Sequence, residues 1–219
     1  MTRTPTPTRT PTPTPTSTPP RAQATDRPAR RHAQTLSCGA TLICEVRPDA
    51  TTASASWSVP VGSWDEPAAM AGASHLLEHL AFKGSRDLPG AELDRRLDAI
   101  GADANAWTGE DRTAYHGTVL PERLSDLNAL LAQLLRPAIR DEDLSTERSV
   151  VLEEIAMADD DPESRAMDAC AAAAFGDHPL GRPVLGTRAS LSAMTAADLR
   201  AWRDRHDREA RQPDQSEFL

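Results

Sequence analysis

The sequence predicts an α+β domain in which helices stack on one face of a mainly antiparallel sheet. Thr41 to Val46 is rich in apolar residues, and Ala53 to Val61 alternates between Ala, Trp or Val and Ser or Pro, as expected for strands. Most of the later chain has helical spacing, without the regular alternation typical of a parallel sheet. The further predicted elements are helices at Ser74–Phe82, Ala91–Ile100, Pro121–Leu135, Leu144–Met157, Pro162–Phe175 and Ala196–Arg205, and a strand pair at Ala104–Trp107 and Thr113–Thr118.

A tail rich in Thr and Pro precedes the predicted domain. Residues 2–35 contain no Val, Ile, Leu, Phe, Trp or Tyr, so they have too little apolar surface to offset the entropy of ordering. The repeated prolines favour extended polyproline II geometry. We therefore predict a disordered spacer over residues 1–33, a domain over residues 34–206 and an atypical polar tail over residues 207–219.

Charge and composition exclude several classes of function. The chain has a formal net charge of −9, and its first 33 residues carry six Arg and one Asp, so the remainder carries −14. This acidic balance argues against nucleic-acid binding. No signal-type apolar region or membrane-spanning run is present, which predicts no membrane association and a cytoplasmic location. Cys38, Cys44 and Cys170 suit neither a disulfide framework nor a thiolate zinc site, and we expect buried, reduced thiols.

The segment HLLEHLAFKGS contains the motif with the clearest chemical meaning. At helical spacing, His75, Glu78 and His79 lie on one face and a largely apolar surface lies opposite. Two imidazoles at positions i and i+4 can chelate one cation, and the adjacent Glu can activate water. The simpler interpretation is a solvated polar face. The full His-x-x-Glu-His pattern instead favours an inverted zinc-peptidase site.

A catalytic zinc site of this kind needs a third protein ligand. In the helix predicted at Leu144–Met157, Glu147 and Glu154 share a stripe with two valines, whereas Glu153 lies about 100° away around the helix. A carboxylate on an apolar stripe needs a partner, which a zinc ion on the facing helix would supply. The sequence favours Glu154 as the ligand and Glu147 as a residue that supports the site. The alternative is that these carboxylates are charges on a helix surface.

With these motifs the chain resembles the insulinase-like, or pitrilysin, zinc peptidases, and particularly the bacterial relatives of mitochondrial processing peptidase. The first motif continues with Phe82, Gly84 and Ser85, as in the family. Glu154 stands seventy-five residues after His79, and Glu147 stands seven residues before Glu154. This spacing is similar to that of the family's second signature. The resemblance covers about residues 36–206 and implies the N-terminal catalytic domain.

The resemblance implies a specific chemistry for these residues. His75, His79 and Glu154 would bind Zn²⁺, Glu78 would activate the attacking water, and Glu147 would order the catalytic site. Peptide-bond hydrolysis would follow without a nucleophilic serine or cysteine. His178 and Arg182 in a later family-like stretch are expected to shape a loop rather than to bind metal.

A short polar strand is the predicted substrate-binding element. Taken alone, Asn105-Ala106-Trp107-Thr108 is most simply an ordinary hairpin strand. Its similarity to the family's Asn-Ala-x-Thr edge strand implies that Asn105, Ala106 and Thr108 align a peptide as an added strand.

The end of the sequence departs from the family pattern. After Arg-Asp-Arg-His, the resemblance implies a turn and an apolar strand that completes the sheet, but DREARQPDQSEFL follows instead. We therefore expect a sheet lacking its final strand and an exposed sheet edge. Two hypotheses remain open: a zinc endopeptidase that works with a partner peptidase-like chain or as a homodimer, and a truncated, non-catalytic remnant or peptide-binding module.

Overall fold

A computed structural model of the chain describes residues 28–209, with side chains described as far as residue 206. Most of the predicted disordered tail, residues 1–27, lies outside this range. Of the predicted polar C-terminal tail, only the backbone of residues 207–209 lies inside it.

The strands form two separate antiparallel sheets. Strands β1 (Arg30–Thr35) and β2 (Thr41–Val46) make a hairpin. Strands β3 (Ala53–Val59), β4 (Asp103–Thr108) and β5 (Thr113–Val119) make a three-stranded sheet in the order β3-β5-β4, so β4 lies at an edge. The four strands predicted from the sequence, two from apolar content or alternation and two as a polar pair, are confirmed as β2 to β5.

The helices follow the predicted positions to within a few residues at their ends. They are α1 (Ala73–Ala81), α2 (Gly90–Ala99), α3 (Leu124–Leu134), α4 (Asp141–Asp160), α5 (Pro162–Phe175), α6 (Arg188–Ala193) and α7 (Ala196–Glu209). The sequence interpretation missed α6, because six residues are too few for an apolar period. Reciprocal hydrogen bonds between Thr187 and Ser190 begin this helix. No helix in residues 28–209 has the length and apolar content needed to cross a membrane.

The core explains why the helices stack as they do. One buried cluster joins α1, α4, α6 and α7, and includes Leu76, Leu80, Val151 and Leu199. A second cluster packs α2 and α3 against the three-stranded sheet. Helix α1 contributes to both clusters and also packs against β4. This arrangement confirms the α+β class, and it places the motif-bearing helix between α4 and the edge strand.

The boundary predicted for the N-terminal tail is wrong by several residues. Residues 30–33, assigned to the tail, belong to β1 and pair with β2. All six residues of β1 are exposed, so the backbone ladder and the Arg31–Glu45 ion pair stabilise this strand without burial. An argument from apolar content could not find it.

The prediction of buried cysteines is also wrong. Cys38, Cys44 and Cys170 are free, exposed thiols. The first two belong to the exposed hairpin region, and the third lies on α5, which has no buried residue.

Candidate metal centre

Helix α1 presents two chemically distinct faces. Leu76, Leu80 and Ala81 are fully buried in the core. His75, Glu78 and His79 are only partly buried, and the two imidazole rings meet edge to face with their centroids 4.7 Å apart. The helical period therefore separates the core face from the polar motif, as the sequence predicted.

A buried carboxylate fixes the N-terminus of this helix. Gly72 precedes α1 with φ +89°, and an added Cβ would lie 2.6 Å from the carbonyl oxygen of Leu185. Because Gly72 has no side chain to cap the helix, Glu66 accepts hydrogen bonds from the backbone N–H groups of Gly72 and Ser74, each at 2.7 Å. Burial raises the pKa of Glu66 to about 7, against the opposing effect of these backbone hydrogen bonds.

A turn with two structural residues follows the helix. Gly84 has φ +95°, and a Cβ there would lie 2.4 Å from the carbonyl oxygen of Leu88. The Ser85 hydroxyl accepts the N–H groups of Asp87 and Leu88 and donates to Gln133. The Gly-Ser end of the first motif thus holds the loop after α1.

Helix α4 brings two glutamates to the histidines. The Oε2 atom of Glu154 lies 3.7 Å from Nε2 of His75 and 3.6 Å from Nε2 of His79. Two turns earlier on α4, Oε2 of Glu147 lies 3.2 Å from Nδ1 of His79. The structure therefore unites residues that are far apart in sequence, and Glu153 stays exposed on another side of the helix.

The donor set of His75, His79 and Glu154 suits a divalent cation. One possible ligand atom from each lies within 4.8 Å of the others. Ligands about 2.1 Å from a tetrahedral zinc ion are about 3.4 Å apart, close to the observed separations. The contact with Glu147 favours a proton on Nδ1 of His79, which leaves a lone pair on Nε2 facing the Glu154 oxygen. A cation bound between these two acceptors would offset the repulsion between their lone pairs.

The protonation state of His75 also suits a ligand. Burial, and secondly the neighbouring His79, lower the pKa of His75 to about 4. The imidazole is therefore neutral near neutral pH, the form in which histidine binds metal.

Glu147 is held by a residue that the sequence interpretation missed. The Nζ atom of Lys83 lies 2.7 Å from Oε1 of Glu147, while the other carboxylate oxygen contacts His79. The Glu147 side chain is buried, so this pairing compensates the cost of its charge. Lys83 stands four residues after His79, and this spacing could have placed Lys83 beside His79 on one helix face. Helix α1 ends before Lys83, however, at Ala81.

Glu78 is hydrogen-bonded to the edge strand β4. The Thr108 hydroxyl donates a hydrogen bond of 2.5 Å to Oε2 of Glu78. Burial raises the pKa of Glu78, and the hydrogen bond from Thr108 opposes that increase. The residue predicted to align substrate thus contacts, through its side chain, the carboxylate predicted to activate water.

On the outer edge of β4, one backbone N–H is hydrogen-bonded to a side chain of the same strand. The Ala106 N–H donates to Oδ1 of Asn105 at 2.8 Å rather than to β5. Asn105 also borders an open depression of about 300 Å³, together with Glu78, His79, Phe82, Lys83 and Glu147. An extended backbone pairing with Ala106 would have to displace the Asn105 amide from this N–H.

The later family-like residues lie outside the metal cluster. His178 accepts the Leu180 N–H and so begins a short 3₁₀ turn. The Arg182 guanidinium donates to the backbone oxygen of Glu66. Both contacts agree with the expected role in shaping loops.

Comparisons with known proteins agree with the fold and the motifs. Residues 41–188 match the family model described as Insulinase (Peptidase family M16). An uncharacterized zinc protease of Mycobacterium tuberculosis (strain ATCC 25618 / H37Rv) is 43% identical over 169 residues, which are 77% of this chain and 39% of that protein. The uncharacterized zinc protease YmxG of Bacillus subtilis (strain 168) is 32% identical over 169 residues, 77% of this chain and 41% of that protein.

Solved structures share the same architecture. A protease from Helicobacter pylori superposes with a TM-score of 0.77 at 23% identity, over 82% of this chain and 44% of that one. Pitrilysin superposes with a TM-score of 0.72 at 26% identity, over 84% of this chain and 20% of that one. The chain spans about two fifths of the length of the curated relatives described above. From the family match, the relatives and the fold together, this chain belongs to the insulinase family of peptidases, family M16.

Proposed function

We propose that this chain is the zinc-binding domain of an endopeptidase and that it acts with a partner chain. The observation that carries the proposal is the convergence of His75, His79 and Glu154 from two helices, with Glu78 beside them. The zinc proteases among the relatives support the choice of metal.

The side chains supply the roles that such a reaction requires. His75, His79 and Glu154 would hold the ion, which when bound polarises a carbonyl and lowers the pKa of water. Glu147 orients His79 through Nδ1, and Lys83 holds Glu147 in place. Glu78 removes a proton from the attacking water and returns it to the leaving amine. Its raised pKa brings it closer to neutrality, where a carboxylate exchanges protons more readily.

The edge strand β4 gives the substrate a place to bind. A peptide added beside β4 would pair with the Ala106 backbone and lie next to Glu78, because Thr108 on the same strand contacts that carboxylate. Asn105 would then release the Ala106 N–H and be free to contact the peptide. The substrate class that fits is an unfolded or extended peptide.

A partner is proposed because the site of this domain is open. The depression beside Glu78 holds about 300 Å³ and is open to solvent, whereas an enclosed site strengthens the electrostatic interactions of the ion and of Glu78 with a bound peptide. The relatives are more than twice as long as the matched region, so further chain is available to cover the site in them. A separate peptidase-like chain or a second copy would serve here.

The same openness favours a second candidate function. A domain that keeps the edge strand and the metal cluster without an enclosing partner would bind peptides and release them uncut. This peptide-binding module shares every residue of the site, so only turnover separates it from the endopeptidase.

The test is hydrolysis of an unstructured fluorogenic peptide by the zinc-loaded chain, alone and with the part of the Mycobacterium tuberculosis relative that lies outside the matched region. We expect Glu78→Gln to lower hydrolysis by about 10²- to 10⁴-fold without lowering zinc content. Glu153→Gln, a neutralisation on an exposed position of α4, is the matched control and should retain the native rate.

The outcomes separate the candidates. Native hydrolysis that is lost in Glu78→Gln supports the endopeptidase. Equal rates of hydrolysis for the native chain and Glu78→Gln in the presence of the partner would contradict the endopeptidase. Saturable binding of the peptide without hydrolysis in both arms would establish the peptide-binding module instead.

A further inference from the structure

The loop that leaves α1 is joined to the linker that enters α4. This linker, residues 135–140, connects α3 to α4. The Ala138 N–H donates to the carbonyl oxygen of Gly84 at 3.0 Å, and Ser85 and Pro137 form an isolated antiparallel bridge. The junction therefore lies between the helix that carries the two site histidines and the helix that carries the two site glutamates.

One arginine side chain strengthens this junction. Arg140 is the last residue before α4, and its guanidinium donates to the carbonyl oxygen of Lys83 at 3.3 Å and to that of Ser85 at 3.1 Å. Asp143, in the first turn of α4, accepts a further hydrogen bond from Nη1 at 3.1 Å. The planar guanidinium, which can hold several oxygens in a fixed geometry, therefore spans the loop after α1 and the first turn of α4.

The backbone before Arg140 is held in an unusual conformation. Ile139 has φ +51°, which is sterically unfavourable for a β-branched residue, and its side chain is fully buried in the core cluster that joins α1, α4, α6 and α7. Two arginines of α7 hold the same segment: Arg200 donates to the Ile139 carbonyl oxygen at 2.7 Å. Arg203 donates to the Pro137 carbonyl oxygen at 2.9 Å. Because the core and α7 fix this backbone, Arg140 projects from a rigid segment.

Lys83 occupies a position that depends on this junction. Helix α1 ends at Ala81, two residues before Lys83, so contacts of the loop contribute to the placement of the Lys83 backbone. The Nζ atom of Lys83 lies 2.7 Å from Oε1 of Glu147, the carboxylate whose other oxygen contacts His79. Lys83 is the one lysine in the sequence of 219 residues, so no other lysine can replace it.

We propose that Arg140 is a positioning residue of the metal centre. By holding the loop after α1 against α4, it keeps the Lys83 ammonium on Glu147, which in turn orients His79. The proposal rests on the proposed zinc site, and it adds a path of contacts from the start of α4 to one of the ligands. The Gly90 N–H also donates to the Lys83 carbonyl oxygen, at 3.1 Å, so the loss of Arg140 should loosen this path without breaking it.

The first test measures the position of Lys83 without zinc. Its side chain and the N-terminus provide the two reactive amines of the chain, and peptide mapping by mass spectrometry separates their acylated products. Lys83 reacts when it leaves Glu147 and loses its proton. We expect Arg140→Gln to raise the acylation rate of Lys83 in the metal-free, full chain about 2- to 30-fold, the span found for residues along one contact network. Asp143→Asn removes the carboxylate that orients the guanidinium and should raise the rate by less.

A double-mutant cycle on zinc affinity tests whether Arg140 acts through Lys83. Competition with a chelator measures the affinities of the native chain, Arg140→Gln, Lys83→Met and the double variant. We expect Arg140→Gln to weaken zinc binding of the native chain about 2- to 30-fold. Beside Lys83→Met it should have no further effect, because the path to Glu147 is then already lost. A contribution of Arg140 to the fold in general would instead give additive effects.

Arg136→Gln is the matched control, because Arg136 is an exposed arginine of the same linker, and it should behave as the native chain in both tests. Urea unfolding checks that each variant keeps its fold, and Asp143→Asn replaces Arg140→Gln if that variant does not fold. Equal acylation rates in Arg140→Gln and Arg136→Gln, or additive effects in the cycle, would overturn the proposal. A native chain that binds no zinc would contradict the proposed function instead, and the acylation rates would still decide whether Arg140 positions Lys83.

Discussion

At the level of single residues, Thr108 connects the edge strand β4 to Glu78, the proposed general base. Its hydroxyl gives Glu78 a short hydrogen bond, and its backbone belongs to the edge strand that would carry a peptide. A hydrogen bond to a carboxylate contributes about 1.5–3 kcal/mol, or about 10- to 100-fold in a rate that depends on it.

We predict that Thr108→Val lowers kcat of peptide hydrolysis about 10- to 100-fold and leaves KM nearly unchanged, because Glu78 loses the group that orients it. Thr108→Ser keeps the hydroxyl and should restore most of the rate. Steady-state kinetics on the zinc-loaded protein with its partner measures both. A rise in KM alone would show that Thr108 contacts the substrate and does not position the base.

Glu147 and Lys83 act on the site through His79. We predict that Glu147→Gln weakens zinc binding about 10- to 100-fold, the range found when a group orienting a metal ligand is removed. Zinc titration with a competing chelator measures the affinity. Glu142→Gln, which neutralises a residue in the first turn of the same helix, is the control and should bind as the native chain does. Native affinity in Glu147→Gln would contradict the orienting role.

At the scale of elements, the N-terminus of α1 depends on Glu66. The folded protein raises the pKa of this carboxyl from 4.5 to about 7, so the folded state holds the proton more tightly than the unfolded chain. The stabilisation from this group is therefore present below about pH 4.5 and is lost as pH rises to about 7. His75, whose pKa is lowered, has the opposite effect over an overlapping range.

We predict that the stability difference between the native chain and Glu66→Gln changes with pH, by at most about 3 kcal/mol. The free energy of unfolding of the native protein should exceed that of Glu66→Gln by more at about pH 5 than at about pH 7.5. Urea unfolding in the presence of a chelator measures both values, and subtraction removes the common contribution of His75. A difference that is independent of pH would show that Glu66 titrates normally in the fold.

The elements differ in how far the sequence could predict them. The longer helices have periodic apolar positions, β2 is rich in apolar residues and β3 alternates, so their places could be predicted, and β4 and β5 could be predicted as a polar strand pair. Strand β1 is stabilised through its backbone ladder, and α6 is short and begun by side-chain caps, so neither has an apolar period.

The site was predictable where one helix places the residues together. His75, Glu78 and His79 follow from helical spacing, and the position of Glu154 follows from its stripe on α4. Lys83 and Glu66 make their contacts across a turn or between separate segments, and Thr108 bonds to a helix thirty residues earlier in the chain. Such contacts depend on how separate segments pack, and the spacing of residues along one helix or strand does not predict that packing.

At the scale of the whole molecule, α1 divides two surfaces. Its polar face meets α4 and β4 at the metal cluster, and Leu77 lines a groove between the two sheets. The core joins α1 and α4 through Leu76, Leu80, Val151 and Ile155, which fixes the histidines opposite Glu154. We propose that this packing alone brings a complete set of zinc ligands together.

The test of this proposal is the zinc content of the folded, purified chain, measured after zinc loading and removal of free metal. We predict about one zinc per chain for the native protein and for Glu153→Gln, and a clear loss in Glu154→Gln, because the Glu154 carboxylate lies 3.7 and 3.6 Å from the two histidines. A native chain without zinc, or a Glu154→Gln variant that retains as much zinc as Glu153→Gln, would contradict the account.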